Sequence, residues 1–294
     1  MRIKQLYIEN YEGIKKTMIT FGDGITCFAG PNNTGKHTLF NAMTVVQWYY
    51  ENDPPLTALL EHRRRGATGP TVLVFTVWNN GKDFVYTFSF DENGVHDYVN
   101  TGDENDKTAF LDFLDQYMYS PYLSLQDFVF ANNDNLESIG KGLRDFFPND
   151  IERVWTEENE PGYKDIMVKS PDFEEPFNLY DFSPTTVRIA QYLAMVECGE
   201  PAILILEDPD SGLEAWSMRQ LVGILEAYCV KHRRQVFIST YNPYLVSCLL
   251  PGEVYLSEKE NGECTFTCAS QYGEIMDIYE GEIEWWYNAY LGLD

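Results

Sequence analysis

Basic residues are scarce in this chain. Lys and Arg number 21 against 46 Asp and Glu in 294 residues, which gives a formal net charge of −25 with histidine neutral. This excess of negative charge disfavours broad attraction to nucleic-acid phosphates or to acidic membranes. Two basic clusters stand against the trend, His62-Arg63-Arg64-Arg65 and Lys231-His232-Arg233-Arg234, and we interpret them as solvated surface rather than as a groove. Nucleic acid is therefore not the expected main partner.

Long apolar runs are lacking as well. No run reaches the roughly eighteen residues that a membrane span needs, and no charged-then-apolar leader opens the sequence. We therefore expect an intracellular, cytoplasmic protein with no membrane partner. The six cysteines are scattered, and only Cys264 and Cys268 lie close together. Their spacing is typical of one face of a strand and favours free thiols over a zinc site.

What the chain does contain is a glycine-rich loop. It follows the apolar run Ile25 to Ala29, precedes a helix expected over about 37 to 51, and reads Gly30-Pro31-Asn32-Asn33-Thr34-Gly35-Lys36-His37-Thr38. The spacing G-x-x-x-x-G-K is that of the phosphate-binding loop, whose backbone N–H groups surround a phosphate chain while lysine and the positive helix end neutralise it. The predicted nucleotide-binding residues are Gly30, Asn32, Asn33, Thr34, Gly35, Lys36, His37 and Thr38.

The position after the lysine departs from this pattern. Ser or Thr normally stands there, because its hydroxyl ligates magnesium. Here the residue is His37, and Thr38 follows one place later. Nucleotide binding and catalysis therefore have to be considered separately.

The second half of the chain alternates strands with helices. Ala202 to Leu206 is a continuous apolar run, typical of a central parallel strand, and it ends in the acids Glu207 and Asp208. A helix is expected over about 214 to 231, and Gln235 to Thr240 reads as another strand. This alternation predicts an α/β fold with a parallel sheet covered by helices.

The segment between these two halves has a different pattern. The β-branched and aromatic runs Thr71 to Trp78 and Phe84 to Phe90 are joined by an Asn-Gly turn, which predicts an antiparallel hairpin. Residues 105–160 mix helical patterns with polar loops, and we expect Asn149 to Gly162 to be a surface connection.

These motifs resemble those of ATP-binding-cassette-type ATPases of the RecF and structural-maintenance-of-chromosomes (SMC) group, especially the branch related to the overcoming-lysogenization-defect nucleases. The resemblance rests on the opening strand with its Tyr11-Glu12-Gly13 turn, the phosphate loop, a Walker B-like Leu206 to Leu213 and a switch-like Ser239 to Leu245. It implies a P-loop NTPase head with a parallel core sheet, an adjoining antiparallel β subdomain and a helical insert. It also implies two heads that close over two nucleotides, each giving its signature loop to the other's phosphates.

On this basis we expect one composite domain over residues 1–294. Its core comes from 1–50 and 164–260, with an antiparallel β insert at 71–100, a helical insert at 105–160 and a C-terminal strand and helix region at 252–294. The tail from Ile275 to Asp294 is expected to pack onto this domain.

Four positions depart from what the resemblance implies around the γ-phosphate and its metal. Walker B normally ends in Asp-Glu, but here Glu207 stands in the metal position and Asp208, one methylene shorter, in that of the catalytic base. In the signature-like loop, Pro184 and Thr185 follow Ser183 where glycine is usual. Tyr241 replaces the switch histidine and carries no charge. With His37, these changes favour slow hydrolysis, whereas ATP and magnesium remain the expected cofactors.

Three functions stay open at this point. The first is an ATP-binding, weakly hydrolysing head that dimerises or oligomerises and regulates a separate effector, in a setting such as bacterial or phage conflict. The second is a pseudo-ATPase scaffold that recognises another protein. The third, a nucleic-acid-processing ATPase of RecF type, is disfavoured by the charge and because only about fifty residues follow the switch segment, with no acid-rich nuclease module among them.

Overall fold

The computed structural model describes residues 1–119, 136–160, 163–198 and 202–271. The first elements are the strands and helices β1 (Arg2–Tyr11), β2 (Ile14–Thr20), β3 (Ile25–Ala29), α1 (Lys36–Asn52), α2 (Leu56–Glu61), β4 (Thr71–Asn79), β5 (Lys82–Asp91), β6 (Gly94–Val99) and α3 (Glu104–Leu114). They are followed by β7 (Tyr117–Tyr119), α4 (Leu136–Phe146), β8 (Arg153–Glu160), β9 (Tyr163–Lys169), β10 (Phe177–Asn178), α5 (Pro184–Cys198), β11 (Ile203–Glu207), α6 (Ala215–His232), β12 (Gln235–Thr240), α7 (Pro243–Val246), β13 (Val254–Glu260) and β14 (Glu263–Cys268). Within the described part of the chain, no helix is long and apolar enough to cross a bilayer.

A five-stranded antiparallel sheet has the order β2-β1-β4-β5-β6. Its β4–β5 hairpin turns at Asn80 and Gly81, whose φ angles of 47° and 87° are both left-handed. Two such residues make the tight turn whose twist matches that of paired strands. Along β4 every second residue is buried, and Leu73, Phe75 and Val77 are fully enclosed. The hairpin predicted from the sequence is therefore present, and its inner face supplies part of the core.

A six-stranded sheet has the order β14-β13-β3-β12-β11-β7, in which β14 is antiparallel to β13 and the other pairs are parallel. Alternate side chains of its strands enter two different apolar clusters, because successive residues of a strand point to opposite faces. In β3, for example, Cys27 joins the cluster that contains residues of α5 and α6. Phe28 joins the cluster that contains Phe40 of α1 and Phe75 of the antiparallel sheet.

The parallel sheet is thus a middle layer. Helices α5 and α6 cover one face, and α1 with the antiparallel sheet covers the other. This arrangement confirms the predicted α/β class with a parallel core sheet and an adjoining antiparallel sheet.

Two details of the expected layout are wrong. The predicted surface connection 149–162 contains β8, which forms the edge of a small sheet of order β10-β9-β8. Val154 is buried, but acidic residues occupy positions 157, 158 and 160. An edge strand can carry such charges, and here they obscure the alternation of apolar residues by which a strand is recognised. The insert 105–160 is therefore not purely helical. In addition, β1 and β2 belong to the antiparallel sheet, so only part of residues 1–50 enters the parallel core.

The assignment of all 294 residues to one composite domain stays a prediction. The expected packing of the tail from Ile275 to Asp294 lies outside the described residues.

Candidate functional site

The glycine-rich loop leaves the end of β3 and enters α1 at Lys36. Gly30 has φ +153°, and a β-carbon on it would lie 2.4 Å from both the carbonyl oxygen and the hydroxyl of Ser257. Gly35, at φ +96°, would place a β-carbon 2.7 Å from that of Cys264. The two glycines of the motif are therefore required both by their backbone angles and by the closeness of the β13–β14 hairpin.

Thr34 fastens the loop to that hairpin. Its hydroxyl donates to the carbonyl oxygen of Pro31 at 2.8 Å and lies 2.7 Å from the hydroxyl of Ser257. The Ser257 hydroxyl in turn donates to the carbonyl oxygen of Ala29 at 3.1 Å. These hydrogen bonds fix the conformation of the loop within itself and against β13.

Gly30→Ala should lower the free energy of unfolding by about 2 to 3 kcal/mol, because the added methyl group has no space and the backbone angle becomes strained. Urea unfolding measures this. The matched control is Gly223→Ala on α6, where the new methyl group meets nothing within 4 Å. That control should be neutral or stabilising by up to about 1 kcal/mol. Equal unfolding midpoints for the two variants would refute the contact with Ser257.

Lys36 lies at the first position of α1, above the loop. Its ammonium group donates to the carbonyl oxygens of Gly30 at 2.6 Å and Pro31 at 2.8 Å, and its side chain is largely buried. Burial lowers its pKa, against the opposing effect of Asp208. The N-terminus of α1, which carries a partial positive charge, is directed at the same loop. The ammonium group and the helix end therefore both contribute positive potential there.

The two acids predicted as catalytic lie at the carboxyl end of β11, beside this loop. Asp208 has φ 41°, an unusual angle for a residue with a side chain. Its N–H donates to the carbonyl oxygen of Ser239 at 3.1 Å, which fixes its position next to β12. Burial raises the pKa of the Asp208 carboxyl, although the Lys36 ammonium opposes the shift. A raised pKa is the direction expected of a general base.

Glu207 contacts the residue that replaces the usual hydroxyl. Its Oε1 lies 2.7 Å from Nδ1 of His37, a hydrogen bond between the end of β11 and the first turn of α1. The next residue, Thr38, donates its hydroxyl to Oε2 of Glu12 at 3.0 Å, and Oε1 of Glu12 lies 2.8 Å from Nδ1 of His62. Two carboxylates near the loop are thus each hydrogen-bonded to an imidazole.

These donors do not suit a magnesium ion held in the manner of the family. Magnesium requires oxygen ligands in near-octahedral geometry, and imidazole nitrogen suits softer metals. At the position of the expected hydroxyl the chain offers an imidazole, and the expected acidic partner, Glu207, is bonded to it. Among the described residues there is also no group of three or more His, Cys, Asp or Glu side chains arranged to hold a metal ion.

A cleft of about 360 Å³ unites most of the predicted site. Its walls are formed by Gly13, Asn32, Asn33, Gly35, Lys36, His37, Thr38, Glu207, Asp208, Ser239, Lys259 and Cys264. Gly30 and Thr34 support it from below through Ser257. Sequence reasoning did not assign Gly13, Ser239, Lys259 or Cys264 to this cleft. Gly13 and Ser239 lie in segments that carried the resemblance, whereas Lys259 and Cys264 arrive through pairing of β13 with β3 and have no local motif.

Three other predicted residues lie outside this cleft. Ser183 caps the start of α5, where its hydroxyl accepts from the N–H of Thr186 at 3.1 Å. Thr185 packs against Gly212, in the loop after Asp208. Tyr241 follows β12 and is 43% exposed. Ser183 instead borders a second cleft of about 520 Å³. In the described chain, the signature-like and switch-like groups are therefore not assembled around the phosphate loop.

The first basic cluster has a structural role. The Arg63 guanidinium donates to the carbonyl oxygens of Ala67 at 3.0 Å and Gly69 at 2.9 Å, and its side chain is 14% exposed. Arg64 donates to the carbonyl oxygen of Gly13 at 2.9 Å. The interpretation as solvated surface is wrong for Arg63. Its planar guanidinium group donates several hydrogen bonds to carbonyl oxygens of the following loop and is largely buried there.

Solved structures with a similar fold include SMC head domains. The SMC head domain from Thermotoga maritima matches with a TM-score of 0.65 at 18% identity, over 91% of this chain and 99% of that one. An SmcHead bound to the C-winged helix domain of ScpA gives 0.69 at 11% identity, over 91% and 97%. An Smc head bound to the C-terminal domain of ScpA, derived from Pyrococcus furiosus, gives 0.66 at 9%, over 95% and 99%. At these identities the likeness establishes the fold.

Similarity in sequence is more local. A segment of 42 residues is 48% identical to the DNA double-strand break repair Rad50 ATPase of Methanosarcina mazei, which is 14% of this chain and 4% of that protein. The chain thus matches only a small part of the length of this relative. The family model described as "AAA domain, putative AbiEii toxin, Type IV TA system" matches residues 25–247, from β3 to the residue after α7. Since that range covers most of the chain, this protein belongs to that AAA family.

Proposed function

We propose that this protein is an ATP-binding head that dimerises or oligomerises and regulates a separate partner protein, with slow ATP hydrolysis. The observation that carries the proposal is the cleft itself. A glycine loop, a buried lysine and the positive end of α1 lie opposite Glu207 and Asp208, at the edge where parallel strands end. That edge is where nucleotides bind in open α/β sheets.

Slow turnover follows from the groups that would act on the γ-phosphate. Asp208 is shorter than the usual base, His37 offers no hydroxyl, and the hydroxyl of Ser183 is engaged in capping α5. The loss of one positioned catalytic group typically costs a factor of about a hundred to a thousand. By contrast, the glycines of the loop and Lys36, which would hold the rest of the phosphate chain, all match the motif.

Assembly and a partner protein are supported by the neighbours in fold, two of which are SMC heads bound to parts of ScpA. A role in bacterial or phage conflict is favoured by the description of the family, which refers to a toxin–antitoxin system. A cytoplasmic location remains part of the proposal.

The scaffold without ATPase activity is the second candidate, because the same departures that slow hydrolysis could extend to its complete loss. The match to Rad50 keeps a RecF-type role on nucleic acid as the third.

Calorimetry with ATP and with a non-hydrolysable analogue, beside an assay of phosphate release, separates the ATP-binding head from the scaffold. We expect both nucleotides to bind with micromolar or tighter affinity, about −8 kcal/mol, and phosphate release to be slow. Light scattering with and without the analogue should show a larger species when nucleotide is bound. Complete absence of nucleotide binding by the folded protein would refute the proposal and leave the scaffold.

A further inference from the structure

We infer that this protein binds nucleoside triphosphate without magnesium, with the hydrogen bond between His37 and Glu207 taking the place of a metal bridge. The inference rests on the proposed function and concerns the same cleft. It starts from the donor set, in which an imidazole and the carboxylate bonded to it replace the hydroxyl and the acidic partner on which the family's metal depends.

The contact leaves no oxygen ligand on α1 for the ion. His37 presents nitrogen, and the only other hydroxyl in the first turn of α1, that of Thr38, donates to Glu12 at 3.0 Å. Successive residues of a helix point about 100° apart, so Thr38 cannot occupy the direction that His37 takes. Magnesium keeps waters and nucleotide oxygens readily, and without a ligand from α1 the acid that borders the cleft unbonded to His37 is Asp208. One carboxylate is a weak anchor for an ion that requires near-octahedral geometry, so the protein gains little affinity from its presence.

The contact also connects the two elements that the metal normally links. His37 lies in the first turn of α1, directly after the phosphate loop, and Glu207 ends β11. Their 2.7 Å hydrogen bond therefore joins the first turn of α1 to the Walker B segment directly. To admit an ion between Nδ1 and Oε1, the side chains would have to exchange this bond for two metal bonds of about 2.1 Å. Nitrogen makes one of those bonds weak for magnesium.

Positive charge for the phosphates comes from the protein instead. Lys36 lies in the loop, and a second lysine, Lys259 on β13, lines the same cleft. The N-terminus of α1 adds its partial positive charge. Two lysines and a helix end thereby supply the neutralisation that a lysine and a divalent ion share in a standard phosphate loop.

The test is the dissociation constant of ATP, measured by calorimetry in excess EDTA and in excess magnesium. For the wild-type protein we expect the two constants to agree within about threefold. His37→Ser should restore the hydroxyl and remove the hydrogen bond between residue 37 and Glu207, so that magnesium tightens binding by about tenfold or more. His96→Ser on β6, an exposed histidine outside the cleft, is the matched control and should behave as the wild type.

The outcomes are distinguishable. If wild-type binding weakens about tenfold or more in EDTA, the inference is wrong while ATP binding, and with it the proposed function, stands. If the wild type binds no ATP in either buffer, both fall together. A folded His37→Ser variant that stays indifferent to magnesium would overturn the role of His37. The wild-type comparison requires no variant, so it decides the main point even if that substitution prevents folding.

Discussion

Lys36→Ala should weaken ATP binding by at least about a hundredfold, close to 3 kcal/mol. The ammonium of Lys36 is largely buried and is held by the carbonyl oxygens of Gly30 and Pro31, directly within the loop. A charge-assisted bond to phosphate in such a water-poor place is among the stronger polar contacts that a protein makes. If binding uses no magnesium, the dependence on this one charge becomes larger still. Calorimetry with ATP measures the change.

The fold should survive this substitution, because alanine is a good residue for the first turn of a helix and burial already disfavours the charge of Lys36. Lys82→Ala provides the control, since Lys82 is an exposed lysine at the start of β5. It should leave ATP affinity unchanged. A folded Lys36→Ala protein with wild-type affinity would mean that the loop does not hold phosphate.

Patterns that are local in the chain could be predicted from the sequence. The β4–β5 hairpin follows from two alternating runs around an Asn-Gly turn, and the phosphate loop follows from glycine spacing between a strand and a helix. Strand β8 could not be predicted in this way, because the acids of this edge strand interrupt the hydrophobic alternation. Local patterns therefore predict those elements whose own residues show a clear apolar periodicity or a turn motif.

Contacts between distant segments could not be predicted in the same way. The sequence marked His37 and Glu207 as two separate departures from a motif, and only the fold brings them to 2.7 Å, across 170 positions of the chain. Lys259 and Cys264 reach the cleft because β13 pairs in parallel with β3. Pairing between strands that are far apart in sequence depends on the whole sheet, so no short window carries its signal. The departures were visible from the sequence, but the contact between them was not.

Restoring the family residues at three positions should raise the rate of ATP hydrolysis by about tenfold to a hundredfold. His37→Ser returns a hydroxyl ligand for magnesium and releases Glu207 from its hydrogen bond. Asp208→Glu extends the carboxylate toward the attacking water. Tyr241→His returns a donor that can carry charge as negative charge develops on the phosphate oxygens. His37 and Asp208 line the cleft, whereas Tyr241 lies outside it and is changed because the resemblance implies a histidine at that position. Lys36 and the glycines of the loop are left intact.

The triple variant is the fair test, because groups that act on one transition state are not additive and a single restored group can remain without effect. His37→Ser alone gains a metal ligand while the base stays short, and Asp208→Glu alone extends a base that has no metal beside it. The measurement is steady-state phosphate release by the wild type and the triple variant at saturating ATP and magnesium. The wild type should turn over well below about one per second, the lower end of the usual enzyme range. If it already reaches that rate, the site is not degenerate, and His37 and Tyr241 must then be working residues of a different mechanism.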